Sequence, residues 1–229
     1  MNIIKYKFIF LLLFSLDMSA ALIKDYVARY SFKSDEISIN GIRKLTTQDQ
    51  GYELSFEAKS MIAKLGFNSS FVVSEDQVIS KGYMVKIKPR FVKRDQSIDY
   101  NYNKKQITSL GRNSWGVEFN PMERPLDPMN AQIQIRLNLL KGVNEFSLKL
   151  VEMKNGEIQD NFYKVIGSDL CEVGKIEYEC TILKRNREKE GRETLYYLAP
   201  KLDYMFLKII DTSPEREQKL ELIEILSLG

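Results

Sequence analysis

Apolar and polar residues alternate with a period of two through most of the chain. Tyr26, Ala28, Tyr30 and Phe32 alternate with Val27, Arg29, Ser31 and Lys33, and Tyr52, Leu54, Phe56 and Ala58 alternate with Glu53, Ser55, Glu57 and Lys59. Ile98, Tyr100 and Tyr102 repeat the pattern, as do Ile176, Tyr178, Cys180 and Ile182. Strands send successive side chains to opposite faces, so this alternation marks half-buried antiparallel strands. Such segments recur from Tyr26 to Leu226 with no linker, low-complexity block or repeat between them. The pattern predicts one all-β domain, residues 22–229, built as an antiparallel open barrel or clam-like curved sheet.

Asn155-Gly156 is a strong hairpin signal, because both central positions of a type I′ turn need positive φ. With those residues at the tip, Phe146 pairs with Val165 and Leu148 with Tyr163, while Ser147, Lys149, Asp160 and Lys164 share the opposite face. A single stretch has helical spacing. Asp127-Pro128 supplies an N-cap and a first-turn proline, Met129, Ile133, Leu137 and Leu140 follow at intervals of four, four and three, and Gly142 can end the run. This predicts one helix, Pro128 to Lys141, across the mouth of the sheet, with Met129, Ile133, Leu137 and Leu140 as a candidate cavity lid. The cap accounts for Asp127 without a catalytic role. Beyond Ser213-Pro214-Glu215 the chain suits either a helix to Leu226 or a closing strand over Leu220 to Ile225.

The first 21 residues read as an address. Lys5 and Lys7 form a positive start, Phe8 to Leu16 is apolar apart from Ser15, and Ser19-Ala20-Ala21 supplies the small residues of a cleavage site. The apolar run has 9 residues, against the roughly 20 that a spanning helix needs. We expect a leader cleaved after Ala21 or Ala20, delivery to the periplasm, and no transmembrane segment in the mature chain.

Composition then narrows the chemistry. The 229 residues include no histidine and 2 cysteines, which excludes Ser-His-Asp and Cys-His hydrolases, His-ligated metals and four-Cys sites. No catalytic, cofactor or metal set is evident, and the expectation is a protein that is not an enzyme. Without Lys5, Lys7 and Asp17, the 34 cationic and 31 anionic side chains become 32 and 30, a net charge of +2. Bulk charge thus points to no nucleic acid. The densest cationic stretch, Lys81 to Arg94, carries Lys81, Lys86, Lys88, Arg90, Lys93 and Arg94 among Tyr83 and Phe91, and reads as a solvated strand face. Cys171 and Cys180 sit either side of Gly174, and in an oxidising compartment they are a candidate disulfide or two buried thiols.

Several short motifs resemble one family. The Lys81-Gly82-Tyr83 turn before a strand ending near Pro89, the Asp127-led helix ending in Gly142, Val165-Ile166-Gly167, Gly174 opening Lys175 to Arg185, and Arg192 to Pro200 followed by Tyr204 to Ile209 are similar to the bacterial envelope proteins filed as domain of unknown function family 3108. Tyr197 stands before Leu198-Ala199 where that family usually has Trp, Phe206 before Leu207-Lys208 where it has Pro, and Cys171-Glu172-Val173-Gly174 where it has a threonine-rich approach. The resemblance implies an exported, β-rich, open-barrel domain, no catalytic residues, and a final strand rather than a helix.

Two functions fit. One is a periplasmic carrier whose aromatic interior, drawn from 12 Tyr and 12 Phe, holds an apolar ligand such as a lipid or other amphiphile. The other is an envelope interaction or assembly protein with a packed interior and another envelope protein as partner.

Overall fold

A computed structural model of the chain describes residues 23–35, 37–61, 63–89, 94–187 and 191–229. Residues 1–21, where a leader is expected, lie outside the described residues. Alternation becomes strands β1 (Tyr26–Ser34), β2 (Ser38–Gln48), β3 (Gly51–Lys59), β4 (Ala63–Ser74), β5 (Gln77–Pro89), β6 (Arg94–Asn101), β7 (Gln106–Gly111) and β8 (Trp115–Glu118). Helix α1 (Asn130–Leu140) follows. The chain then continues through β9 (Glu145–Val151), β10 (Ile158–Val173), β11 (Ile176–Arg187), β12 (Arg192–Ala199), β13 (Met205–Ser213) and β14 (Arg216–Leu228). The ending is therefore a strand, which pairs Leu220 with Phe32 and Leu222 with Tyr30.

All 14 strands form one antiparallel, unclosed curved sheet in the order β8-β7-β6-β5-β4-β3-β2-β1-β14-β13-β12-β11-β10-β9. Two meanders thus spread in opposite directions from the β1·β14 seam, and the edges β8 and β9 face each other across the gap. Exposed strand edges template unwanted pairing, and here both are covered. Leu126 donates its N–H to Lys149 O at 2.9 Å and accepts from Val151 N at 3.0 Å, extending the β9 edge. The β9–β10 turn reaches β6 and β8, where Met153 O accepts from Gln96 Nε2 at 2.6 Å and from Trp115 Nε1 at 3.2 Å.

That turn corrects the hairpin register. Phe146 pairs with Tyr163 and Leu148 with Asn161, a slip of two residues from the sequence expectation. The connection is not a two-residue I′ turn but a wider one, closed by Glu152 N to Glu157 O at 2.8 Å and Gly156 N to Glu152 O at 2.9 Å. An even slip keeps each side chain on its face, so Lys149 still meets Asp160 on the polar side at 3.2 Å.

A sheet this wide leaves a lumen unless something fills it, and α1 occupies one end. It is clamped from both sides. Val78 N donates to Gln134 Oε1 at 2.7 Å beside the β4–β5 turn, and Arg136 Nε donates to Asp203 O at 2.9 Å in the turn before β13. Gly142, at φ +74°, ends the helix in the left-handed conformation that glycine adopts without a Cβ penalty. Met129, Ile133 and Leu137 are buried, but Leu140 is 39% exposed and does not belong to the stripe. In its place Ala131, Ile135 and Leu139 are also buried, so α1 is enclosed on nearly every side rather than lidding a space with one face.

Candidate functional site

The start of α1 carries a buried polar network. Asp127 Oδ1 accepts from the N–H groups of Met129 at 2.7 Å and Asn130 at 2.9 Å, while Asp127 N donates to Asn130 Oδ1 at 2.9 Å. This reciprocal pairing satisfies donors that a helix start leaves orphaned. From β4, Ser69 donates its hydroxyl to Asp127 Oδ2 at 2.6 Å. Asn130 Nδ2 reaches Ser80 Oγ of β5 at 2.9 Å, and that hydroxyl donates to Pro125 O at 2.9 Å. Ser69, Ser80, Asp127 and Asn130 are fully enclosed.

Burial pushes the Asp127 carboxyl up to about 7, against the pull of its hydrogen bonds from Ser69, Asn130 and Met129. The phenols of Tyr83 and Tyr100 are likewise raised, first by burial and then by the nearby Asp127. Chemically this is a carboxyl poised to change charge near neutrality, with its oxygens engaged by the helix start and by Ser69. Its geometry is that of a fastener between α1 and the sheet.

At the other end of the lumen the inner face is less covered. Phe67 of β4, Val85 and Ile87 of β5 and Gln96 of β6 face Asn113 and Met153 across an open cleft of about 370 Å³. Leu65, Phe67 and Val85 pack on the core but stay half-buried, as do Phe32, Phe146 and Val165. A smaller groove of about 240 Å³ lies among the outward Asn68, Ser70, Met84, Ser97 and Thr108.

The sequence-derived candidates separate in space. Cys171 of β10 and Cys180 of β11 are joined by a disulfide, with Cα atoms 6.1 Å apart, and neither lines the cleft. In the basic stretch, Lys81, Lys86 and Lys88 are exposed while Tyr83 is buried; Arg90, Phe91 and Lys93 fall outside the described residues. Met129, Ile133 and Leu137 sit with the Asp127 network. Among the described residues, no group of three or more Cys, Asp or Glu side chains stands close enough to hold a metal ion, and no helix is long and apolar enough to cross a membrane.

Sequence reasoning missed the buried polar residues Ser69, Ser80, Gln134, Arg43 and Arg136. A signal existed for three of them. Arg43 occupies the inward register of β2 between Gly41 and Leu45, and Ser69 and Ser80 hold inward positions beside Phe67, Phe71 and Val78. A polar residue on an apolar face is the informative exception.

No family model and no curated protein matches the chain. Membership of family 3108 is therefore not shown. Among solved structures, the chain is similar to a β-barrel-like protein of domain of unknown function 1849 from Brucella abortus, at a TM-score of 0.56 and 8% identity, over 90% of this chain and 98% of that one. At this identity the likeness shows the fold alone: a β-barrel-like domain.

Proposed function

We propose that this β-barrel-like protein is exported and acts as a non-catalytic binding or carrier module for a lipid or other amphiphile of the cell envelope. The observation that carries the proposal is the cleft at the open end, where Phe67, Val85, Ile87 and Met153 form an apolar wall beside polar Gln96 and Asn113 and a charged rim of Arg112, Glu152 and Lys154. Its volume of about 370 Å³ falls in the lower part of the roughly 300–1,000 Å³ common for small-molecule sites. Export is supported by the leader at residues 1–21 and by the Cys171–Cys180 pair, which suits an oxidising compartment.

The test is binding of an apolar fluorescent probe, with mass spectrometry of small molecules retained by protein purified from the periplasm. Val85→Asp or Ile87→Asp should weaken probe binding by about tenfold, a loss equal to ~1.4 kcal/mol. A probe that binds neither wild type nor variant above a control protein overturns the proposal. A mature terminus at Ala21 or Leu22 supports export; intact Met1 in a soluble cytoplasmic pool counts against it.

A second reading, an envelope interaction or assembly protein, draws on a different observation. Phe162, Ile166 and Leu170 of β10 are 56%, 52% and 60% exposed, and exposed apolar groups of this kind mark contact surfaces. Co-purification that is lost on Phe162→Ser with probe binding intact favours this second function.

A further inference from the structure

Two arginines lie buried inside the sheet. Arg43 projects inward from β2 and is 3% exposed; Arg136 projects from α1 and is 4% exposed. The Cζ of Arg43 stands 5.8 Å from the ring centre of Tyr30 and 6.0 Å from that of Phe206, and the Cζ of Arg136 lies 5.6 Å from that of Tyr26. Arg136 Nε donates to the Asp203 carbonyl at 2.9 Å, but its Nη1 and the Nε of Arg43 have no hydrogen-bond partner. Among the described residues neither guanidinium forms an ion pair, whereas Arg29 pairs with Glu224 and Arg192 with Asp211.

Physical chemistry makes this arrangement expensive in an inert core. A guanidinium taken out of water needs an opposite charge or a full set of acceptors. Aromatic faces supply only a quadrupole attraction, and the two arginines disfavour each other's charge. Burial lowers the Arg136 guanidinium from its ordinary range and Arg43 acts in the same direction, while Tyr26, Tyr30 and the Asp203 carboxylate pull it back up. The groups come from β1, β2, α1 and the β12–β13 region, so the convergence is a product of the tertiary fold. The planar fork of a guanidinium matches the geometry of a carboxylate or phosphate, which it can grip with two parallel hydrogen bonds.

We propose that Arg43 and Arg136 together form the receptor for one oxyanion, a carboxylate or phosphate-type group, held beside the rings of Tyr26, Tyr30 and Phe206. Assigning that oxyanion to the head of an amphiphile rests on the carrier function proposed above; the receptor itself does not.

The experiment is calorimetric titration of the exported protein with decanoate, decanol and inorganic phosphate, on wild type, Arg43→Met, Arg136→Met and Arg43→Lys. Wild type should bind decanoate at least about tenfold more tightly than decanol. Each Met variant should lose that preference and bind decanoate no more tightly than decanol. Phosphate binding that the Met variants lose, without any binding of decanoate or decanol, keeps the receptor and removes the amphiphile. Equal binding of decanoate and decanol, unchanged in the variants, overturns the receptor and keeps the amphiphile. No binding of any of the three overturns both. Should a Met variant fail to fold, Arg43→Lys decides, because it keeps the charge and loses the fork: decanoate affinity should fall about tenfold, and an unchanged affinity refutes the assignment.

Discussion

Asp127 should make this protein less stable as the pH rises through the neutral range. Its carboxyl is fully enclosed and titrates at about 7 in the fold, against an ordinary value of 3.8. The folded state therefore holds a proton over the interval in which the unfolded chain has released it. Stability from this group is fully present below 3.8 and is lost as the pH climbs to about 7. Each pH unit is worth ~1.4 kcal/mol, so the loss across the interval is roughly 4 kcal/mol. The background is favourable for seeing it, since the chain has no histidine and histidine is the usual titrating group there. Urea unfolding from about pH 4.5 to about pH 7.5 on wild type and Asp127→Asn measures the slope. Asparagine keeps the capping oxygen for Met129 and Asn130, and the Ser69 hydroxyl can turn to accept from the new amide. Wild type should lose stability with rising pH in this window and Asp127→Asn should not. An identical slope in both proteins, or a wild type that gains stability, refutes the reasoning.

Three further outcomes are expected. Leu137→Ala removes a side chain with no exposure at the contact of α1 with the sheet, and should cost roughly 2–5 kcal/mol in urea unfolding; a much smaller loss would mean that α1 roofs a space rather than filling one. Alkylation of denatured, unreduced protein should label neither Cys171 nor Cys180, and labelling of both excludes their bond. Gly156→Ala places a Cβ 2.5 Å from Trp115 Cε3 at a φ of +79°, so it should cost roughly 1–3 kcal/mol and shift the emission of Trp115, the single tryptophan; unchanged emission and stability would show that the turn does not clasp β8.

Local physics accounts for what the sequence determined alone. The period of two in Tyr26 to Phe32 or Leu54 to Ala58 is a steric property of an extended chain, so strand and inward face can be assigned before any partner is known. The same holds for α1, whose Asp127 start and Gly142 end are decided within a few residues. Long-range contacts were hidden for the same reason. The Asn155-Gly156 signal located a hairpin but not its register, because the wide turn is held by Gln96 and Trp115 from the far side of the gap. Spacing also placed Leu140 on a single buried stripe, while the curvature of the sheet buries Ile135 and Leu139 instead and leaves Leu140 in water. Arg43 and Arg136 come to stand over the rings of Tyr30, Phe206 and Tyr26 only because β1, β2, β13 and α1 pack together in the folded sheet. Alternation along a strand says which face a side chain takes; which side chains it meets there depends on strand order and curvature, and those are properties of the assembled sheet.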